Sequence, residues 1–150
     1  MSTSYKTYLR QIEDTLAEYL VKKAPALPSN VKEAIVKFAP WVTVIMLILT
    51  LPLLLAVFGI GAMFAPFSFM GGVSAGTSYL LTLVFTVVQI ILEVMAVPGL
   101  FKNERRSWDL LFYAALVGVV QNVITFNVGG LLIGSLLYLY LLFQVREYYK

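Results

Sequence analysis

The chain has 150 residues, of which 60% are hydrophobic and 13% charged, with a formal net charge of +3. Soluble domains usually carry about 25% charged residues, so this composition excludes an ordinary soluble domain and indicates an integral membrane protein. Cysteine and histidine are both absent, which excludes disulfides and thiol chemistry and removes the commonest metal ligand and general base. We therefore predict no cofactor, no metal, no enzymatic activity and no nucleic acid partner.

The charged residues are segregated along the chain. Residues 38–92 and 110–145 contain none. Because about 20 apolar residues cross a hydrocarbon core, each of these runs has room for about two helices. The predicted fold is an all-α integral membrane protein, with four transmembrane helices in two hairpins and an amphipathic cytoplasmic helix before them. The membrane domain is predicted at 41–145, with spans at about 41–62, 79–101, 108–126 and 130–145.

The first segment, residues 1–24, is predicted to form the amphipathic helix. Its apolar side chains repeat at helical spacing and include three tyrosines. Tyrosine suits a membrane interface, so this helix either lies on the membrane surface or packs on its own protein or a second subunit. We assign Glu13 and Asp14 to its solvated face, where a carboxylate pair has no catalytic role.

Residues 25–40 are predicted to form a proline-containing linker followed by a short helix. Asn30 and Glu33 have the spacing of a capping box, so this helix is predicted to begin at Val31. Pro40 then kinks the junction or begins the first span.

The first span carries Pro52 near its middle. This proline predicts a packing kink, with a hinge or an unwound ligand site as the alternative. The following stretch, "MFAPFSFMGGVSAGTSY", is predicted to be an uncharged loop that sits in the membrane interface or dips back into it.

The second span contains a polar stripe at helical spacing. Its members are Thr82, Thr86, Gln89 and Glu93. They fall within about 60° of one helix face. An ionised acid near a helix centre costs about 2.5–3.5 kcal/mol, so the stripe is expected to face the bundle or a subunit interface. Glu93 is either a proton or cation site in a transport path, or a neutral group hydrogen-bonded to a neighbouring helix. Its candidate partners are Gln121, Asn122, Tyr113, Tyr138 and Gln144, of which Tyr113 and Gln144 match its depth best.

Small residues predict where the later helices pack. Ala115 and Gly118 lie on one side of the third span, and the fourth span begins with Gly130 and Gly134. Lipid provides no hydrophobic drive between helices, so these faces predict close contact across the second hairpin, or alternatively between subunits. The intervening "NVGG" predicts a tight turn in which Asn and Gly take positive φ angles.

Basic residues occur on one side of the predicted hairpins. Six precede the first span, three follow the second span and two lie in the tail 146–150. The positive-inside rule therefore predicts a multi-pass protein of the cell (inner) membrane with both termini in the cytoplasm. Trp41 and Trp108 fall at the same inner boundary. Contact with anionic lipid at this face is a further possibility, although topology alone accounts for the basic residues.

Three stretches, "NVKEAIVKFAPW", "SWDLLFY" and "YLYLLFQVREYYK", resemble segments of small, uncharacterised four-span membrane proteins of bacteria with reduced genomes. The resemblance covers most of the chain from Asn30 onward and implies an architecture, with no activity or site residue. The sequence favours a non-enzymatic protein that acts by assembly in the lipid bilayer, as a homo-oligomer or with a membrane-protein partner. The alternative is a small proton- or cation-linked transporter or channel that uses the stripe ending at Glu93.

Overall fold

A computed structural model describes residues 2–150. These residues form five α-helices and no strand. The helices are α1 (Ser2–Ala17), α2 (Ser29–Ser68), α3 (Val73–Leu100), α4 (Arg105–Ile124) and α5 (Leu136–Gln144). Short turns of π-helix (Glu18–Lys23 and Gly130–Ser135) extend α1 and precede α5, and turns of 3-10 helix (Phe69–Gly71 and Arg146–Tyr148) follow α2 and α5. The all-helical prediction is confirmed.

Three long apolar helices could cross a membrane, and they indicate a multi-pass membrane protein. They are Ser29–Gly71, Val73–Leu100 and Arg105–Ile124. The fourth predicted span corresponds to a shorter apolar helix, Gly130–Gln144.

Helix α2 begins earlier than the sequence predicted. The predicted capping box of Asn30 and Glu33 is wrong, because the residue before the helix is Pro28 and no side chain caps it. The Pro28 carbonyl instead accepts hydrogen bonds from the backbone N–H groups of Val31 and Lys32. The helix continues through Pro40, so the predicted short helix and the first span form one element of 40 residues.

The predicted long loop after the first span is also wrong. Both of its halves are helical, and Gly72 alone separates the 3-10 turn from α3. Gly72 has φ 106°, a conformation that favours glycine. A Cβ at Gly76 would collide with the ring of Phe69, so glycine also permits the close approach of α3 to the end of α2. Helices α2 and α3 therefore form a compact hairpin.

The buried core lies at one end of the molecule, where α3, α4 and α5 meet. Trp108 stacks on Phe112 with the ring centroids 5.4 Å apart, and it meets Phe143 edge to face at 5.1 Å. The indole N–H of Trp108 donates to the Leu142 carbonyl at 2.8 Å. Of the three long helices α4 is the most enclosed, since 33% of its apolar 18-residue stretch is buried against 6% in α2 and α3.

The C-terminal tail and the end of α1 meet the α3–α4 turn and the start of α4 at this same place, which we call the shared end. The Lys150 amide donates to the Asn103 carbonyl at 3.0 Å, and the Arg105 amide donates to the Lys150 carbonyl at 2.8 Å. Leu16, Ala17 and Leu20, at the end of α1 and in the turn after it, pack against the core. The shared end thus comprises the end of α1, the turn at 101–104 and the tail at 145–150.

Candidate functional site

The two threonines of the polar stripe are hydrogen-bonded within their own helix. Thr82 Oγ1 donates to the Ser78 carbonyl at 2.9 Å, and Thr86 Oγ1 donates to the Thr82 carbonyl at 2.8 Å. Threonine hydroxyls in helices commonly bond backward in this way. Their donors are therefore already used, and only oxygen lone pairs remain for a ligand.

Gln89, the third member of the stripe, reaches across to α4. Its Nε2 donates to the Ala114 carbonyl at 3.4 Å. The same nitrogen lies 2.6 Å from where a Cβ on Gly118 would stand. Gly118 therefore makes room for a side chain of α3, whereas the sequence assigned it to a contact across the second hairpin.

Glu93, the last member, lies on the inward side of α3. It is half-buried and precedes the buried residues Ala96 and Leu100 by three and seven positions, which places all three on one face. Within residues 2–150 its carboxyl group forms no hydrogen bond and no ion pair. Tyr138 of α5 lies close enough to interact with it electrostatically. The two partners that the sequence favoured, Tyr113 and Gln144, form no bond with it.

The remaining small residues of the predicted packing faces have different surroundings. Ala115 belongs to the buried core. A Cβ on Gly130 would stand 2.5 Å from Asn122 Oδ1, so Gly130 lies against the end of α4, and Asn122 Nδ2 also donates to Ser135 Oγ at 3.1 Å. Gly134 faces open space.

The turn between α4 and α5 differs from the predicted one. The positive φ angle belongs to Phe126, at 51°, and to none of the residues of "NVGG". Asn127 serves a different purpose: its Oδ1 accepts a hydrogen bond from the Gly130 amide at 2.9 Å. The side chain therefore satisfies an otherwise free donor at the start of the next helix.

An ion cluster at the shared end joins α1 to the bundle. The Glu13 carboxylate accepts a hydrogen bond from the guanidinium group of Arg105 and forms an ion pair with that of Arg146. Arg105 also donates to Asp109 at 3.2 Å and lies 4.3 Å from the Trp108 ring centroid. The Glu13 side chain is only 15% exposed, so its assignment to a solvated face was wrong.

Of the two predicted placements of the N-terminal helix, the structure shows packing on its own protein. One side of α1 packs on the bundle through the ion cluster and through Leu16. Three tyrosines instead remain exposed: Tyr5, Tyr8 and Tyr19 are 54%, 63% and 55% accessible. The exposed tyrosines are still available for a membrane surface or another protein.

Gln144 organises the chain between α1 and α2. It is 2% exposed. Its Nε2 donates to the Leu20 carbonyl at 2.8 Å, and its Oε1 accepts from the Leu27 amide at 3.2 Å. Tyr140 assists by donating to the Pro25 carbonyl. One signal for this role was visible in the sequence: a single amide side chain at the end of an otherwise apolar helix.

The arrangement defines a helical protein with three candidate membrane spans, a polar stripe within one of them and an ion cluster at the shared end. No family model, curated protein or solved structure matches this chain. Among residues 2–150, no group of three or more acidic side chains is placed to hold a metal ion.

Proposed function

We propose that the chain is a small, non-enzymatic, multi-pass membrane protein that acts by assembly with itself or with a membrane-protein partner. In this proposal α2, α3, α4 and the segment Gly130–Gln144 all cross the bilayer. Both termini and the turn at 101–104 then lie on the cytoplasmic side. The C-terminal tail, the turn and the end of α1 meet at the shared end, which supports this arrangement, as does the concentration of all basic residues there or in the segment before the first span.

The observation that carries the assembly proposal is the length of the α2–α3 hairpin. Helix α3 has 28 residues and α4 has 20, and the two are joined at the shared end. At 1.5 Å per residue, α3 therefore extends about 12 Å further from this end. We call the outermost part of the α2–α3 hairpin, residues 63–75, the projecting hairpin. It exposes large apolar side chains, namely Met63 (75%), Phe64 (60%), Phe67 (60%) and Met70 (81%).

Helix α3 is too long to be covered by the bilayer core alone. A hydrocarbon core is about 30 Å thick, whereas 28 helical residues extend about 42 Å. With Trp41 and Trp108 at the inner boundary, the hairpin reaches the outer headgroup layer. Burial against another protein surface stabilises exposed aromatic and methionine side chains in that layer. A second copy supplies a matching apolar surface and can form a symmetric contact.

The double variant Phe64→Gln/Phe67→Gln tests self-assembly. We expect the wild-type chain to be oligomeric in mild detergent by native mass spectrometry and the double variant to be monomeric. Phe126→Gln is the matched control, because Phe126 is 89% exposed but lies at the α4–α5 turn; its oligomer should persist. A wild-type chain that is monomeric in both detergent and lipid nanodiscs would show that it does not self-assemble.

Glu93 favours a second function, that of a small proton- or cation-linked transporter or channel. Its carboxyl group is half-buried at membrane depth and has no hydrogen-bond partner within residues 2–150. Ionisable groups retained inside membranes commonly mark ion or proton paths. In liposomes with an internal pH-sensitive dye, this function predicts proton flux that is lost in Glu93→Gln and kept in Glu33→Gln, a change at an exposed glutamate. Equal flux in wild type and Glu93→Gln would remove Glu93 from any mechanism.

A further inference from the structure

A cavity of about 420 Å³ lies at the shared end, and its lining includes four basic side chains. We call it the basic cavity. Its charged lining residues are Lys22, Lys32, Arg105, Arg146 and Glu147. Phe143 and Tyr149 contribute apolar surface, and Gln144 contributes a buried amide.

The cations of the basic cavity are only partly neutralised. Arg105 pairs with Glu13 and with Asp109, and Arg146 pairs with the same Glu13 carboxylate. Lys32, whose side chain is 16% exposed, pairs with Glu147 at 3.0 Å. Lys22 forms no ion pair within residues 2–150. The four basic side chains thus have three carboxylate partners, so an excess of one positive charge remains. An anionic group such as a phosphate would offset it through charge-assisted hydrogen bonds.

A second cavity, of about 470 Å³, adjoins the first, and we call it the apolar groove. Helix α2 forms one wall with Phe38 and Val42, and α5 forms the other with Leu141. Leu111 of α4 also lines it. Tyr149 lines both the apolar groove and the basic cavity.

The position of the groove matches the inner boundary of a membrane. Its α2 residues lie between 34 and 43 and so bracket Trp41, the aromatic residue expected at that boundary. The basic cavity, lined by Lys22 and Arg146, lies on the side of this boundary where charged residues are concentrated. A polar site outside the boundary thus lies next to an apolar site inside it, with Tyr149 in the wall of both.

We propose that these two cavities together bind one anionic phospholipid of the cytoplasmic leaflet, with its headgroup phosphate in the basic cavity and an acyl chain in the apolar groove. A free anion would leave the groove empty of any specific occupant. A helix from another chain would fill the groove and leave the excess positive charge of the basic cavity without a partner. An anionic amphiphile satisfies both cavities, and each is of the size typical of ligand sites. The inference rests on the membrane insertion proposed above and is independent of assembly.

The test measures lipid retention by the purified full-length chain. Protein in mild detergent receives equal amounts of dioleoyl phosphatidylglycerol and dioleoyl phosphatidylcholine, and native mass spectrometry counts the lipids that remain bound. We expect selective retention of one phosphatidylglycerol. Lys22→Gln should weaken this retention about fivefold, since each basic residue near a membrane surface contributes on the order of that factor. Lys102→Gln is the matched control, because Lys102 is exposed in the α3–α4 turn and lines neither cavity.

A second pair of variants tests the groove. Ala39→Phe places a ring in the groove and should lower retention of phosphatidylglycerol, whereas Ala62→Phe, at an exposed position of the same helix, should not. Equal retention of the two lipids by the wild-type chain would overturn the proposal. Equal losses in Lys22→Gln and Lys102→Gln would also overturn it, as would displacement of the lipid by excess inorganic phosphate alone.

The outcome is separable from that of the proposed function. Alkaline carbonate extraction of wild-type membranes tests insertion itself, and recovery of the chain in the soluble fraction would refute insertion. A chain that stays in the membrane pellet but retains no phosphatidylglycerol preferentially would refute the lipid site alone.

Discussion

Glu13 is the residue on which the docking of α1 most depends. Its largely buried carboxylate is shared by Arg105 and Arg146. In Glu13→Gln the two guanidinium groups lose their common anion, and we expect the free energy of unfolding in detergent to fall by about 1–3 kcal/mol. Asp14→Asn changes the exposed neighbouring carboxylate and should change the free energy of unfolding by less than about 0.5 kcal/mol. Equal losses in the two variants would contradict the role given to Glu13.

Because the hydroxyl group of Tyr149 is buried, we expect the folded protein to lose stability in alkaline solution. Burial raises the pKa of its hydroxyl group above the ordinary value, so the folded protein favours the neutral form. This contribution is complete below the unfolded pKa of about 10 and is lost as the pH rises through the raised folded pKa. Thermal unfolding measured from neutral to strongly alkaline pH should therefore show a decline that Tyr149→Phe reduces. Tyr148→Phe, at the less buried neighbour, should keep the decline; identical profiles for the two variants would count against this explanation.

At the scale of residues, the polar stripe was predictable and the ion cluster was not. The stripe lies on one helix, where a fixed angle per residue places its members together. Glu13 and Arg105 are 92 positions apart, and Gln144 and Leu20 are 124 apart. No local pattern specifies such pairs, because only the folding of the whole chain brings them together.

Individual helices were predicted more reliably than their ends. Hydropathy and periodicity indicated α1, α3 and α4, since these signals extend over many residues. The boundaries of α2 were missed because Pro28 provides a backbone cap where a side-chain cap was expected. The uncharged segment after the first span was missed because its glycines indicated a loop, whereas Gly76 permits close packing of one helix on another.

A substitution at Gly99 tests how closely α3 and α4 pack at the turn that joins them. A Cβ at this position would collide with Ser107 Oγ and stand 2.9 Å from Glu104 Oε2, so the tight α3–α4 turn requires glycine here. We expect Gly99→Ala to lower the free energy of unfolding by about 1–3 kcal/mol, as in other overpacked sites. Gly134→Ala is the control, because open space surrounds that glycine. Its expected effect is neutral, or stabilising by up to about 1 kcal/mol within a helix.

On the scale of the whole molecule, the two ends are held differently: ion pairs join the elements at one end, and neutral hydrogen bonds such as that from Asn122 to Ser135 join them at the other. Ion pairs, backbone hydrogen bonds and the aromatic core all concentrate at the shared end. The opposite end consists of helices of unequal length with exposed apolar side chains. The sequence predicted which helices exist, but their relative extension depends on where each turn falls.

This asymmetry leads to a topology prediction that engineered cysteines can test, because the native chain contains none. Lys102→Cys places a thiol at the shared end, and Met70→Cys places one in the projecting hairpin, at a position that is 81% exposed. A membrane-impermeant maleimide added outside intact cells should label Met70→Cys and should label Lys102→Cys only after permeabilisation. Helix α3 is the segment that separates the two positions. Labelling of both thiols before permeabilisation would mean that α3 does not cross the membrane, and labelling of Lys102→Cys alone would reverse the orientation.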